Sequence, residues 1–99
     1  MKFVNLNYLR DYFSNKRVAL IGSAPTVIDN VGATIDSFDL IIRINNYKII
    51  GYQNNVGTRT DVFYSFFGSS IRKTVKELQQ DGVKLIMCKC PNSKPIRLQ

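Results

Sequence analysis

Four short runs of almost uninterrupted apolar residues constrain the fold of this chain more than any other feature of its sequence. They occupy residues 17–22, 39–44, 61–66 and 83–90. Strands that are apolar on both faces are typical of parallel sheets, because crossover helices cover both sides of such a sheet. The pattern therefore predicts the α/β class, with a Rossmann-like parallel sheet and flanking helices. We expect one domain over residues 1–99, with a loose tail at residues 91–99.

Two helices are predicted around these strands. The first covers residues 3–15, where apolar side chains recur at three- and four-residue spacing. The second is predicted to begin at a capping Ser69 or Ser70 and to end at Gly82. The apolar side chains are Leu6, Leu9, Tyr12 and Phe13 in the first helix and Ile71, Val75 and Leu78 in the second. Residues 47–60 are polar and rich in turn formers, which predicts a loop.

The sequence has no apolar run of the ~20 residues that a membrane-spanning helix needs. Its first residues also lack the apolar core of a signal peptide. We therefore expect a soluble, cytoplasmic protein with no membrane span. Because the chain ends just after its fourth apolar run, we also expect the first half of a larger sheet. The open edge of such a sheet would fit a homo-oligomer or a missing C-terminal half.

The formal net charge is +7, from 14 Lys and Arg residues against 7 Asp and Glu residues. This excess indicates either an ordinary solvated surface or an anionic partner. The sequence has no strongly basic helix and no aromatic RNA-binding signature, so a nucleic acid partner is not expected. Cys88 and Cys90 are the only cysteines and there is no histidine. Reduced thiols, and no metal site, are therefore expected.

The loop after the first strand is the first candidate binding element. It reads Gly22, Ser23, Ala24, Pro25, Thr26. Glycine permits close approach of a ligand to the backbone, the hydroxyls can donate, and a helix opened by Pro25 would direct its N–H groups at an anion. A plain strand-to-helix turn explains the same residues equally well. The loop matches neither the dinucleotide fingerprint nor the P-loop.

The second candidate element ends the second strand, where Arg43, Asn45 and Asn46 follow apolar residues. If the strand persists, Arg43 and Asn45 lie two residues apart and face the same side. The guanidinium could hold a phosphate or brace a neighbouring loop, and the amides could bind phosphate, ribose or base.

A third candidate is the turn before the third strand, which reads Gly57, Thr58, Arg59, Thr60, Asp61. Ligand contact and bracing of the loop by Asp61 are both consistent with this composition. Tyr64 could present its hydroxyl at the end of the third strand.

The segments VALIGSAPTV, IDSFDLIIRINN and GYQNNVGTRTDVFYSF together resemble the large sialyl motif of glycosyltransferase family 29, the sialyltransferases. The family pattern fits residues 35–60 without a gap, and the resemblance covers residues 17–67. It includes D-S at Asp36, R-x-N at Arg43 and V-G-T-R-T ending at Thr60. The first loop and the strand LIMCKCPN are also similar to the bacterial sialyltransferases of family 42.

The resemblance implies a domain that binds a nucleotide-sugar donor, CMP-sialic acid, for transfer to a glycan acceptor. By this resemblance, the loop at residues 22–26 and Asn45 contact the nucleotide, while Arg43 and the turn at residues 57–61 shape the pocket. It also implies an enzyme that needs no metal or other cofactor.

The chain departs from the family pattern at some positions. Ser23 stands where the first loop of the family has Asn, and Val18 stands where the animal enzymes have a disulfide cysteine. The histidine that serves as general base in the family is absent, so we expect no catalytic residue and no activity of this chain alone. A non-catalytic nucleotide- or partner-binding module, or a degenerate remnant, remains the alternative.

Overall fold

A computed structural model of the chain describes residues 2–24, 30–65, 71–89 and 94–98. These residues form one six-stranded sheet with the strand order β1-β6-β5-β4-β3-β2. The strands are β1 Lys2–Phe3, β2 Val18–Ile21, β3 Leu40–Ile44, β4 Val62–Ser65, β5 Leu85–Cys88 and β6 Ile96–Arg97. The helices are α1 Leu6–Phe13, α2 Gly32–Asp36, α3 Gln53–Val56 and α4 Val75–Gln80. In the described part of the chain, no helix is both long and apolar enough to cross a membrane.

The four predicted strands are confirmed as β2 to β5, and they run parallel to one another. The prediction of a loose tail is wrong for the described residues 94–98. There, β6 pairs antiparallel with β5 on one side and with β1 on the other. Only three-dimensional pairing stabilises strands this short, so neither β1 nor β6 has a clear sequence signal.

β2 corrects the expectation that every apolar run is buried on both faces. It lies at one end of the strand order. Val18 and Leu20 point to a face that leaves them 37% and 69% exposed, whereas Ala19 and Ile21 are buried on the other face. An apolar run alone cannot distinguish a central strand from an edge strand, because its composition is the same in both.

The helices are shorter than predicted. The side chain of Asn5 accepts a hydrogen bond from Tyr8 N and begins α1, so Phe3 belongs to β1 instead. Thr74 caps α4 in the same way, accepting from Glu77 N. The predicted caps Ser69 and Ser70 lie outside the described residues. A short helix, α3, interrupts the predicted loop at residues 47–60.

Two hydrophobic clusters cover one face of the sheet. One forms around Ile41 and α2, and the other around Phe63 and α4. The first consists of Ala19, Ile21, Ile35 and Ile41. The second consists of Tyr47, Phe63, Leu78, Val83, Ile86 and Leu98. Arg43 lies between the two clusters, because it shares a face of β3 with Ile41 and pairs in register with Phe63. The chain therefore buries a guanidinium at the centre of its covered face.

Candidate functional site

The carboxyl ends of β2 and β3 form the first part of the candidate site. Gly22, Ser23 and Ala24 follow β2 directly and are exposed. A Cβ atom added to Gly22 would meet nothing within 4 Å. Among the described residues, no neighbouring group therefore requires glycine at this position. Pro25 and Thr26, also predicted to contact the donor, lie outside the described residues.

Asn45 ends β3 in a left-handed conformation, with φ of 51°. Asparagine tolerates this conformation better than most residues. The backbone N–H of Asn45 donates to the carbonyl of Tyr64, 3.1 Å away on β4. This turn breaks the strand alternation, and Asn45 lines a cavity beside Ile42 and Ile44, on the face opposite Arg43. The prediction that Arg43 and Asn45 face the same side required β3 to continue through Asn45, and β3 ends at Ile44 instead.

Asn46 connects the end of β3 to the segment before α4. Its side-chain oxygen accepts a hydrogen bond of 2.7 Å from the backbone N–H of Arg72. The side chain of Asn46 thus holds the segment around Arg72 close to the carboxyl end of β3.

An apolar cavity of about 370 Å³ lies under this edge. It occupies the sheet face opposite the two clusters, at the carboxyl half of the strands. Its lining residues are Phe13, Leu20, Ile42, Ile44, Asn45, Tyr64 and Met87. The surface of this wall is almost entirely hydrocarbon, and the predicted contacts Asn45 and Tyr64 are both among its lining residues.

Arg43 is 1% exposed, and its guanidinium donates hydrogen bonds to other groups of the chain. Nε donates to the carbonyl of Arg59 at 3.0 Å and to the hydroxyl of Thr60 at 2.9 Å. One terminal nitrogen donates to the carbonyls of Val56 and Arg59, each at 2.8 Å. Burial lowers the pKa of Arg43, and the nearby carboxylate of Asp36 opposes that shift. The sequence left two roles open for Arg43, which were to hold a phosphate or to brace a neighbouring loop. These contacts are those of a residue that braces a loop.

The turn at residues 57–61 is bound to the end of α2 through Asp36. This carboxylate accepts from Thr58 N at 2.9 Å, from the Thr58 hydroxyl at 2.9 Å and from Arg59 N at 3.1 Å. Partial burial raises the pKa of Asp36, but these hydrogen bonds outweigh that effect and hold the pKa below its usual value. Gly57 has φ of 78°, and a Cβ there would lie 2.6 Å from Asp36 Oδ1. Glycine is therefore required at this position by both conformation and space.

Arg59 and Asp61 extend the same network to the start of β3. Arg59 donates to the carbonyl of Phe38 at 2.7 Å and to that of Asp36 at 2.8 Å. Asp61 accepts from Ile41 N at 2.9 Å and forms ion pairs with Arg59 at 3.2 Å and Lys84 at 3.6 Å. Phe38 lies two residues before β3, so this turn lies at the amino ends of the strands.

The predicted site residues therefore divide into two groups. Gly22 to Ala24, Asn45, Asn46 and Tyr64 lie at the carboxyl ends of the strands, where parallel sheets bind ligands. Gly57, Thr58 and Arg59 lie at the amino ends, where the hydrogen bonds of Thr58 and Arg59 are with other residues of the chain. Arg43, on β3, contacts this turn through the carbonyl of Arg59. Ligand contact by any of these residues stays a prediction.

Sequence reasoning missed two features of the site. The role of Asp36 as acceptor for the turn at residues 57–61 was not predicted, because its donors Thr58 and Arg59 lie 22 and 23 residues away in the sequence. The apolar wall was also missed, although Leu40, Ile42 and Ile44 alternate along one strand face. Within the described ranges, no three metal-binding side chains cluster together.

Comparison with known proteins adds an independent finding. A family model described as "Glycosyltransferase family 29 (sialyltransferase)" matches residues 14–92. The mouse type 2 lactosamine alpha-2,3-sialyltransferase is 42% identical over 57 residues, which are 57% of this chain and 17% of that protein. The chicken alpha-N-acetylgalactosaminide alpha-2,6-sialyltransferase 1 is 37% identical over 67 residues, which are 68% of this chain and 11% of that protein.

The human type 2 lactosamine alpha-2,3-sialyltransferase is 36% identical over 67 residues, and the match covers 20% of its length. The chain thus spans a fifth or less of the length of these relatives. No solved structure matches the chain significantly.

Proposed function

The chain belongs to glycosyltransferase family 29, the sialyltransferases, and on that premise we propose that it binds the nucleotide part of a CMP-sialic acid donor. The site is the carboxyl edge formed by Gly22, Ser23 and Asn45. In a full-length enzyme, this edge would hold the donor while sialic acid is transferred to a glycan acceptor.

The observation that carries the proposal is the open backbone at Gly22 together with the fixed main chain of Asn45, at the carboxyl ends of neighbouring strands. Gly22 leaves space for a ligand to approach the main chain. Asn45 is held in position because its own backbone N–H is bound to Tyr64 on the next strand. A phosphate can be recognised by backbone N–H groups and a hydroxyl, and a base or ribose by an amide.

The chemistry we assign to this chain is binding and charge stabilisation. Cytidine monophosphate leaves as an anion when an acceptor hydroxyl attacks the sialyl donor. Donors near Gly22 and Ser23 would stabilise that developing charge without a metal ion. The resemblance assigns proton removal to a histidine, and these 99 residues contain none. We therefore propose that the chain is inactive alone.

A titration with cytidine monophosphate, followed by NMR, tests the proposal. We expect the largest shifts at residues 22–24 and Asn45. Asn45→Gly keeps the left-handed backbone but removes the amide, and Asn45→Asp places a negative charge beside the phosphate. Each lost hydrogen bond should weaken binding by roughly fivefold to tenfold, and the aspartate variant should bind more weakly than the glycine variant.

Asn15 provides the matched control, because it is also left-handed, with φ of 57°, and exposed. Asn15→Gly and Asn15→Asp should leave the affinity unchanged. Equal losses at both positions would refute the assignment of the site, and no shifts at millimolar nucleotide would favour a remnant without a ligand. Transfer of sialic acid by the unassisted chain would overturn the proposed inactivity.

A further inference from the structure

The two ends of the sequence lie side by side in the fold, and both lack acidic residues. Residues 1–10 and residues 82–99 contain no Asp or Glu. The pairing of β1 with β6 sets Lys2 opposite Arg97 and Phe3 opposite Ile96. The backbone N–H of Val4 extends this contact by donating to the carbonyl of Pro95 at 2.9 Å. Two separate basic segments therefore form one surface around the edge of the sheet, where Lys2 and Arg97 point to one face and Phe3 and Ile96 to the other.

Two large apolar side chains project from this surface. Phe3 is 70% exposed and Leu6 is 72% exposed, and only two residues separate them. Together with Leu9 and Pro95 they line an open groove of about 480 Å³. Contact of such large apolar side chains with water is unfavourable, and a partner that covers them would remove this cost.

Basic side chains surround the apolar pair. Lys94 lines the same groove, and Lys2 and Arg97 line a second groove next to it, of about 260 Å³. Arg10 lies one helical turn after Leu6 and is exposed, as are Lys2 and Lys94. Asp11 is the nearest acid in sequence, and it follows Arg10 on α1.

We propose that this surface, formed by Phe3 and Leu6 with Lys2, Arg10 and Lys94, docks on an anionic lipid membrane. Charge complementarity selects the partner, because the basic side chains attract acidic headgroups while the two apolar side chains enter the interface. A stable interface with a protein partner typically covers about 800 Å² on each side, which is more than two protruding side chains provide. We call Phe3 and Leu6 together the apolar wedge. The proposal is independent of donor binding, because the carboxyl edge contributes none of these residues.

Sedimentation with lipid vesicles tests the proposal. The chain should bind vesicles of phosphatidylserine and phosphatidylcholine, and added salt should weaken that binding because it screens the charges. Vesicles of phosphatidylcholine alone should bind far less. Equal binding to both vesicle types would overturn the proposal.

Paired variants separate local recognition from general charge. Lys2→Gln with Lys94→Gln should weaken binding by about fivefold for each charge removed. Lys48→Gln with Lys76→Gln removes the same charge from exposed residues elsewhere and should have a smaller effect. Equal losses from the two pairs would contradict a localised surface.

The apolar wedge has its own control. Phe3→Ser with Leu6→Ser should reduce vesicle binding by about tenfold. Ile50→Ser changes a side chain that is 88% exposed at a distant loop and should change nothing. Unchanged binding after loss of both Phe3 and Leu6 would contradict their insertion into the membrane.

Discussion

Arg43 is a charged side chain whose burial the structure explains atom by atom. Its donors reach the carbonyls of Val56 and Arg59 and the hydroxyl of Thr60. Buried charges are tolerated where hydrogen bonds replace water, and carbonyl dipoles do so here. A single guanidinium thus joins α3 and the turn before β4 to the centre of the sheet.

Replacing Arg43 should therefore affect folding stability first. Arg43→Met keeps the apolar stem but leaves buried carbonyls without donors, and each such group costs about 1–3 kcal/mol. Urea denaturation should show a loss of at least about 2 kcal/mol in the free energy of unfolding. Arg10→Met, at an exposed position of α1, is the control and should change stability little. Similar stability of the two variants would mean that the buried bonds contribute nothing.

At the scale of elements, β6 shows how a short segment without a sequence signal becomes part of the core. Its backbone pairs with β5 and β1. Leu98, directly after it, is 7% exposed and packs in the cluster with Val83 and Ile86. The backbone N–H of Leu98 also donates to the carbonyl of Lys84 at 3.0 Å.

Truncation of Leu98 distinguishes a docked strand from a loose tail. Leu98→Ala should lower the free energy of unfolding by about 2–4 kcal/mol, because it removes a buried side chain and leaves a cavity. Leu20→Ala is the matched control, since Leu20 is 69% exposed, and it should cost far less. Thermal or urea unfolding of both variants makes the comparison, and an equal effect would show that residues 94–98 do not hold the fold together.

At the scale of the whole molecule, net charge and the Asp36 network make stability depend on pH. The chain carries +7 at neutral pH, and protonation of its 7 acidic residues would double that charge. Self-repulsion then opposes the compact state. Asp36 adds a specific term, because its hydrogen bonds lower its pKa in the folded chain.

The sign of this term follows from linkage. A carboxylate whose pKa is lower in the folded state stabilises the fold above its unfolded pKa of about 3.9, and the contribution is lost as the pH falls through the folded pKa. Asp36→Asn should therefore be most destabilising near neutral pH, and its difference from the unmodified chain should shrink under strongly acidic conditions. Urea unfolding across that pH range measures the difference, and a constant difference would exclude ionisation of Asp36 as the cause.

The sequence by itself determined the α/β class, the four parallel strands and the family, because all of these depend on local apolar runs and on motif spacing. It also predicted a ligand at the loops that follow the carboxyl ends of the strands. The end of the second predicted strand was not determined in the same way. Strand alternation would set Arg43 and Asn45 on one side only if β3 continued, and the left-handed turn at Asn45 ends this alternation.

Only the tertiary structure decided which groups bind the chain itself and which ends of the sequence meet. The donors of Arg43 and the acceptors of Asp36 could have served a ligand equally well by their chemistry alone. Their partners lie between 13 and 23 residues away in the sequence, so local composition contains no record of these contacts. The joining of two acid-free termini into one basic surface has the same physical origin, because strand pairing brings together residues that the sequence holds far apart.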